Sequence, residues 1–351
     1  MKGKVFIANN RVLYNMITKT PGIFGIVGMQ TDDTLILAQD EFAQLEEEKL
    51  TFTAKPRERL TTGTPLIFNG CVLTLDNDNS MELRQNGQGK KLESINKNDN
   101  SEERKEEYIR QRARRAYIAT ICQPEASFDL SIAAQHQNPL EADVAALNKR
   151  IEWQLKNQER GLKAIPIDLM TAKLFVFVDG SFANNSDMSS QLGFIIVIAN
   201  ETSNEEFKFR IQGNIIHYSS VKSKRVTRSV LASEIYGMVA GVDMAYALST
   251  TLKMVTDQLE LPAIPTIVCT DSYSLYECLV KLGTTKEKRL MIDIMALRQS
   301  YERRELYEIR WINGLDNPAD AMTKNCPNNS LETLINSNTL DIRVEGWVKR
   351  D

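Results

Sequence analysis

The chain has 351 residues, 42% of them hydrophobic, and a net charge of −3. That length suffices for two or three globular domains, and a charge so near neutral leaves any nucleic-acid binding to local patches. Five scattered cysteines without a CxxC pair argue against a zinc or disulfide framework, and two histidines, His136 and His217, leave little for a histidine-rich metal site or a Ser-His-Asp triad. The N-terminus lacks the apolar core of a signal peptide. No apolar run approaches the ~18 residues of a membrane span, so the chain reads as soluble and intracellular, with no membrane partner.

In chain order, the first region, 1–75, centres on GIFGIVGMQTDDTLILAQD. Two short apolar runs, Ile23–Val27 and Thr34–Leu37, flank a turn carrying Asp32 and Asp33, which is hairpin patterning. A helix is expected over Glu41–Leu50 and a strand pair over Pro65–Leu75. Residues 76–107 are polar and lack aromatics, which predicts a linker with an edge hairpin around MELRQ and a flexible loop near Lys97–Glu102. Three helices are expected between Glu103 and Gly161, the third with Val144, Leu147, Ile151 and Leu155 at helical spacing; the helical unit is placed at 108–163.

The last large region, 164–326, predicts strands at 174–178, 193–199 and 207–217. Then come a helix at 228–247, a strand at 266–270, helices at 272–282 and 287–303, a strand at 307–312 and a short final helix. Three antiparallel strands followed by alternating helices and strands predict an α/β unit: a mixed five-stranded sheet with helices on both faces. The tail, 327–351, reads as a terminal helix plus an extended segment.

Within 164–326 four acids occupy distinct kinds of place. Asp179 ends the strand of LFVFVDGS, Glu234 lies in the helical TRSVLASEIYGMVAGV, Asp271 ends the strand of TIVCTDS, and Asp320 sits in NPADAMTK. Strand ends, helix face and helix start can bring four carboxylates to one sheet edge. Like charges so close repel, and hard divalent cations such as Mg²⁺ or Mn²⁺ are the usual compensation. Asp316 competes with Asp320 for the fourth place. Nearby polar residues offer substrate contacts: the basic run Lys222, Lys224, Arg225 and Arg228 before the Glu234 helix, Ser181 and Asn184 after the first strand, and Lys324 at the end of NPADAMTK.

These motifs, in this order and with EKRLMIDIMALRQ between the last two, resemble the ribonuclease H domain of copia-type retrotransposon Pol polyproteins. The resemblance implies a ribonuclease H-like fold and a catalytic, metal-holding set of Asp179, Glu234, Asp271 and Asp320. It implies two ions, Mg²⁺ or Mn²⁺, one assisting the attacking water and one the leaving 3′ oxygen. The substrate would be an RNA–DNA hybrid, whose RNA 2′-hydroxyl marks the strand to be cut. The alternative is a catalytically silent nucleic-acid-binding relic. Asp32–Asp33 resembles the Asp-Asp turn of a reverse-transcriptase palm, and RARRAYIATICQPEASFDLSIAAQ the thumb and connection of the same polyproteins. Residues 1–31 contain no Asp or Glu, so the palm is expected to be a truncated, polymerase-dead remnant. Location in the cytoplasm, the nucleus or both follows from the same resemblance.

Overall fold

The computed structural model describes residues 4–8, 11–15, 23–30, 33–49, 56–96, 101–205, 207–281, 285 and 287–347. The N-terminal strands β1 (Lys4–Ala8), β2 (Arg11–Asn15), β3 (Gly25–Gln30) and β4 (Asp33–Ala38) form an antiparallel sheet in that order, followed by helix α1 (Asp40–Lys49). The expected hairpin is therefore present as β3–β4. Asp32 lies outside the described residues, and Asp33 opens β4.

Strands β5 (Leu66–Phe68), β6 (Cys71–Leu75), β7 (Met81–Gln85) and β8 (Leu162–Ala164) make a second antiparallel sheet. The polar stretch 76–107 is thus less of a linker than its composition implies. β7 pairs on both sides, Leu92 and Ile95 are buried, and helix α2 (Ser101–Cys122) already begins at Ser101. A few well-placed apolar residues anchor the segment where its average hydrophobicity does not. The expected loop at 97–102 is described only from Ser101. Helices α3 (Ser127–Ala133) and α4 (Glu141–Lys156) pack with α2 around Tyr108, Leu130, Val144, Leu147 and Ile151.

The third unit holds β9 (Ala172–Ser181), β10 (Gln191–Glu205), β11 (Lys208–Lys222), α5 (Val230–Gln258), β12 (Thr266–Thr270), α6 (Tyr273–Val280), α7 (Met291–Glu302), β13 (Glu308–Ile312), α8 (Ser330–Ser337) and β14 (Thr339–Trp347). The five expected strands are all present, with β9, β10 and β11 antiparallel and β12 parallel to both β9 and β13. A sixth is added from the tail. β14 pairs with β11 through Thr339–Arg343 and with β13 through Val344–Trp347, which closes the sheet into a ring. The sequence signal is the alternation of Leu340, Ile342 and Val344, all buried, with Asp341, Arg343 and Glu345.

Both faces of the central strand are covered, so β9 reads as an unbroken apolar run. Leu174, Val176 and Val178 face α5, α6 and α7, while Phe175 and Phe177 face the ring's other cluster with Ile195, Val197, Ile267, Ile342 and residues of α8. On that second face sits a buried ion network. Arg310, with no exposed surface, donates to Glu201 at 2.6 Å and to Glu308 at 2.7 Å, and its guanidinium lies 4.5 Å from the Phe209 ring. Lys173 also reaches Glu201, at 2.5 Å. Burial pushes the Glu201 carboxyl up, but the Arg310 and Lys173 bonds outweigh it and hold it below its ordinary range.

Truncating Arg310 leaves two buried carboxylates with one cation between them. Arg310→Ala is expected to destabilise the protein by about 3–5 kcal/mol in equilibrium urea unfolding. A loss of less than about 1 kcal/mol would mean that the network contributes packing only.

Candidate metal centre

The register of two parallel strands sets the first half of the site. β9 and β12 pair from Thr266↔Leu174 to Thr270↔Val178. The next residue of each strand is an aspartate, so Asp271 and Asp179 emerge side by side at the carboxyl ends of neighbouring strands, about 4.8 Å apart in the hydrogen-bonding direction.

Helix α5 brings the third acid. Ser229 caps it, its hydroxyl accepting from the Ala232 amide at 3.2 Å. Glu234 lies one turn before Gly237, and at Gly237 a Cβ would stand 2.6 Å from the Asp179 carbonyl oxygen. A Cβ at Gly180 would meet the Ser233 carbonyl at 2.4 Å. Only a glycine on each side lets helix and strand approach this closely. The Ser233 hydroxyl fastens the contact by donating to the Gly180 carbonyl at 3.0 Å.

Asp179, Glu234 and Asp271 thereby present carboxylate oxygens that all lie within 4.8 Å of one another. Asp179 and Glu234 are buried, Asp271 half-buried. Each carboxyl is pushed above its ordinary range. Burial is the main cause for Asp179, with the Asp271 charge second, and raises it to about 6. Burial and then the charges of Asp179 and Asp271 raise Glu234 well above normal. Burial also raises Asp271, against the nearby Lys324 ammonium. Glu234 has one buried oxygen, Oε2, without a hydrogen-bond partner. Three crowded hard-oxygen ligands, one unpartnered and all short of positive charge, fit a divalent cation of the Mg²⁺ or Mn²⁺ kind.

Asp320 stands beside this group rather than in it. It lies on the 3₁₀ turn Pro318–Met322, where one carboxylate oxygen pairs with Lys324 and the other accepts from the Asn328 amide at 2.8 Å. Its charge still raises both Asp179 and Asp271. Its rival Asp316 is bound elsewhere, accepting from the Arg343 guanidinium at 2.8 Å.

Of the substrate-contact candidates, several are engaged within the protein. Asn184 donates to the Thr323 carbonyl at 2.9 Å. Lys222 pairs with Asp187, Lys324 with Asp320, and Arg225 with Asp293 at 3.0 Å while stacking on Tyr236. Lys224 and Arg228 are exposed, and Ser181 is half-buried at the end of β9. Residues that the sequence reading passed over position the acids. Buried Asn317 donates to the Val178 carbonyl at 3.0 Å and caps the turn at the Ala319 amide, 3.1 Å away. Buried Thr323 donates to Asp179. The Trp311 indole donates to the Asp271 carbonyl at 3.2 Å. The Asn-Pro pair opening NPADAMTK was the legible signal for the cap.

No protein-family model and no curated protein matches this chain. Among solved structures, LC11-RNase H1, isolated from compost by a metagenomic approach, is similar at 19% identity over 43% of this chain and 92% of its own, with a TM-score of 0.30. The N-terminal RNase H domain of Rv2228c from Mycobacterium tuberculosis is similar at 19% identity over 47% of this chain and 98% of its own, with a TM-score of 0.29. Prototype foamy virus protease-reverse transcriptase is similar at 16% identity over 40% of this chain and 17% of its own, with a TM-score of 0.24. The mixed α/β sheet with helices on both faces rests on the strand order and register described above.

The raised Asp179 carboxyl carries a stability consequence. Its folded-state pKa exceeds the unfolded value of 3.8, so the folded protein binds more protons between pH 3.8 and about 6, and stability falls as pH rises through that window. In EDTA, Asp179→Asn is expected to be more stable than wild type at pH 7.5, by about 2–3 kcal/mol. The gain should shrink toward pH 4, and Mg²⁺ or Mn²⁺ should narrow it by stabilising wild type alone. A variant less stable than wild type at pH 7.5 would mean that the buried Asp179 charge does not cost the fold stability.

Proposed function

We propose that this chain hydrolyses the RNA strand of RNA–DNA hybrids at Asp179, Glu234 and Asp271, with divalent cations, Mg²⁺ or Mn²⁺, as cofactors. The observation that carries the reading is the convergence of three carboxylates from two parallel strand ends and one helix, within 4.8 Å and with Glu234 Oε2 unpartnered. Its sequence motifs support a descent from a copia-type retrotransposon polyprotein and an intracellular location, in cytoplasm or nucleus. Among the described residues no helix is long and apolar enough to cross a membrane.

Asp179, Glu234 and Asp271 would hold the cations, two by analogy with the family resembled. Bound there, the ions would supply positive charge to the phosphodiester and assist the attacking water and the leaving oxygen. The chain's own contribution is preorganisation. Thr323 fixes the Asp179 carboxylate, Trp311 the turn of Asp271, and the glycine contact the reach of Glu234. Lys224 and Arg228, exposed just before α5, offer charge to the phosphate backbone.

A second reading, a silent nucleic-acid-binding module, draws on one observation: both oxygens of Asp320 are bonded, one by Lys324 and one by the Asn328 amide. A labelled RNA–DNA hybrid separates the two. Wild type in Mg²⁺ or Mn²⁺ should cut the RNA strand, and Asp271→Asn should do so at least about 100-fold more slowly. Mobility shift should show hybrid binding by both proteins. Binding without cutting by wild type would transfer the conclusion to the silent module.

A further inference from the structure

A cavity of ≈ 340 Å³ opens between the helical segment and the loop that follows β9. That volume is in the range of small-molecule sites. Phe128, Ile132, Ala146 and Leu147 give it apolar walls, and Asn184, Asn185 and Ser186 line the opposite side. The cavity adjoins the candidate metal centre: Asn184 donates to the Thr323 carbonyl, and Thr323 donates to Asp179.

Its polar content is one-sided. No lysine or arginine lines it, whereas Asp129, paired with the Arg150 guanidinium, and Asp143 do. Asp143 accepts from the Leu140 amide at 2.8 Å and stands 3.5 Å from His136 Nδ1. Asn185, 5% exposed, spends its Nδ2 on Ser189 at 2.9 Å and Gln191 at 3.4 Å, and its Oδ1 is buried without a partner. With Asp129 matched by Arg150, the Asp143 carboxylate is the acid left facing a ligand, and its charge disfavours phosphate. Apolar walls with acceptors suit a flat heterocycle that presents donors, and the parallel N1–H and N2–H donors of guanine match a carboxylate's two oxygens.

We propose that this cavity receives an unpaired guanine of the strand flanking the scissile phosphate, read by Asp143. The inference rests on the hybrid-nuclease reading, and it gives that nuclease a base preference at a fixed distance from the cut. The first test is independent of cutting. In EDTA, guanosine should raise the melting temperature of wild type, whereas inosine, which lacks the 2-amino group, and uridine should not. Asp143→Asn keeps an oxygen for the Leu140 amide but replaces the second acceptor with a donor; it should keep the fold and lose the guanosine shift. No shift with guanosine, an equal shift with inosine, or a shift with spermidine in its place overturns the proposal.

The second test maps cuts on mixed-sequence hybrids with single-stranded RNA flanks. Wild type should enrich guanine at one position by roughly fivefold or more, and Asp143→Asn should cut evenly, with the rate advantage at guanine-flanked positions lost. Uniform cutting by wild type overturns the subsite even where guanosine binds. If no hybrid is cut at all, the nuclease reading fails, and the guanosine arm alone still decides the cavity.

Discussion

The parallel pairing of β9 with β12 is the constraint on which the rest of the molecule depends. Its register carries two aspartates to adjacent positions at the same strand edge. A slip of one residue would turn every side chain of a strand to the other face, so the packing of Leu174, Val176 and Val178 in one cluster and of Phe175 and Phe177 in the other indirectly fixes where the carboxylates meet. Apolar burial on both faces therefore does two things at once. It holds the sheet, and it forces together charges that would otherwise move apart.

That enforced proximity runs against stability. Three carboxyls displaced upward by burial and mutual charge are a local conflict between fold and electrostatics, of the kind expected where a protein is built for chemistry. The surroundings are arranged to keep the conflict in place. Asn317 ties the 3₁₀ turn to β9, Thr323 ties that turn to Asp179, and Lys324 supplies the nearest positive charge. Inside the ring the opposite solution is used. There Glu201 and Glu308 are matched by Arg310 and Lys173, and the charges are satisfied. One sheet thus carries a compensated ion network on one face and an uncompensated acidic cluster at one edge.

Much of this was legible in the sequence, because the relevant signals are local. The strand of Thr266–Thr270 appears within the bounds its apolar run implies, and three of the four acids meet because each ends or faces an element with a strong period. Other features turn on which partner a side chain finds in the folded chain, which motif and composition do not give. Asp320 was grouped with the other acids by motif, but its oxygens bond a lysine four residues on and an amide eight residues on. Lys222 and Arg225 read as substrate contacts, and in the folded chain they pair with Asp187 and Asp293. The polar stretch before α2 was judged on average composition, whereas the pairing of β7 on both sides and the burial of Leu92 and Ile95 anchor it.

The tail shows why the site cannot be separated from the closure of the sheet. β14 joins β11 to β13, and its Arg343 reaches the loop between β13 and the Asp320 turn: the Asn313 amide donates to the Arg343 carbonyl at 3.0 Å, and the Arg343 side chain and amide both bond Asp316. This explains which of two nearby acids stands next to the metal centre. Asp316 is taken by the strand that closes the ring, and the loop it anchors then delivers Asn317 to the Val178 carbonyl, one residue before Asp179. Placement of the 3₁₀ turn, and through Thr323 the orientation of Asp179, therefore depends on a strand that contributes no acid of its own.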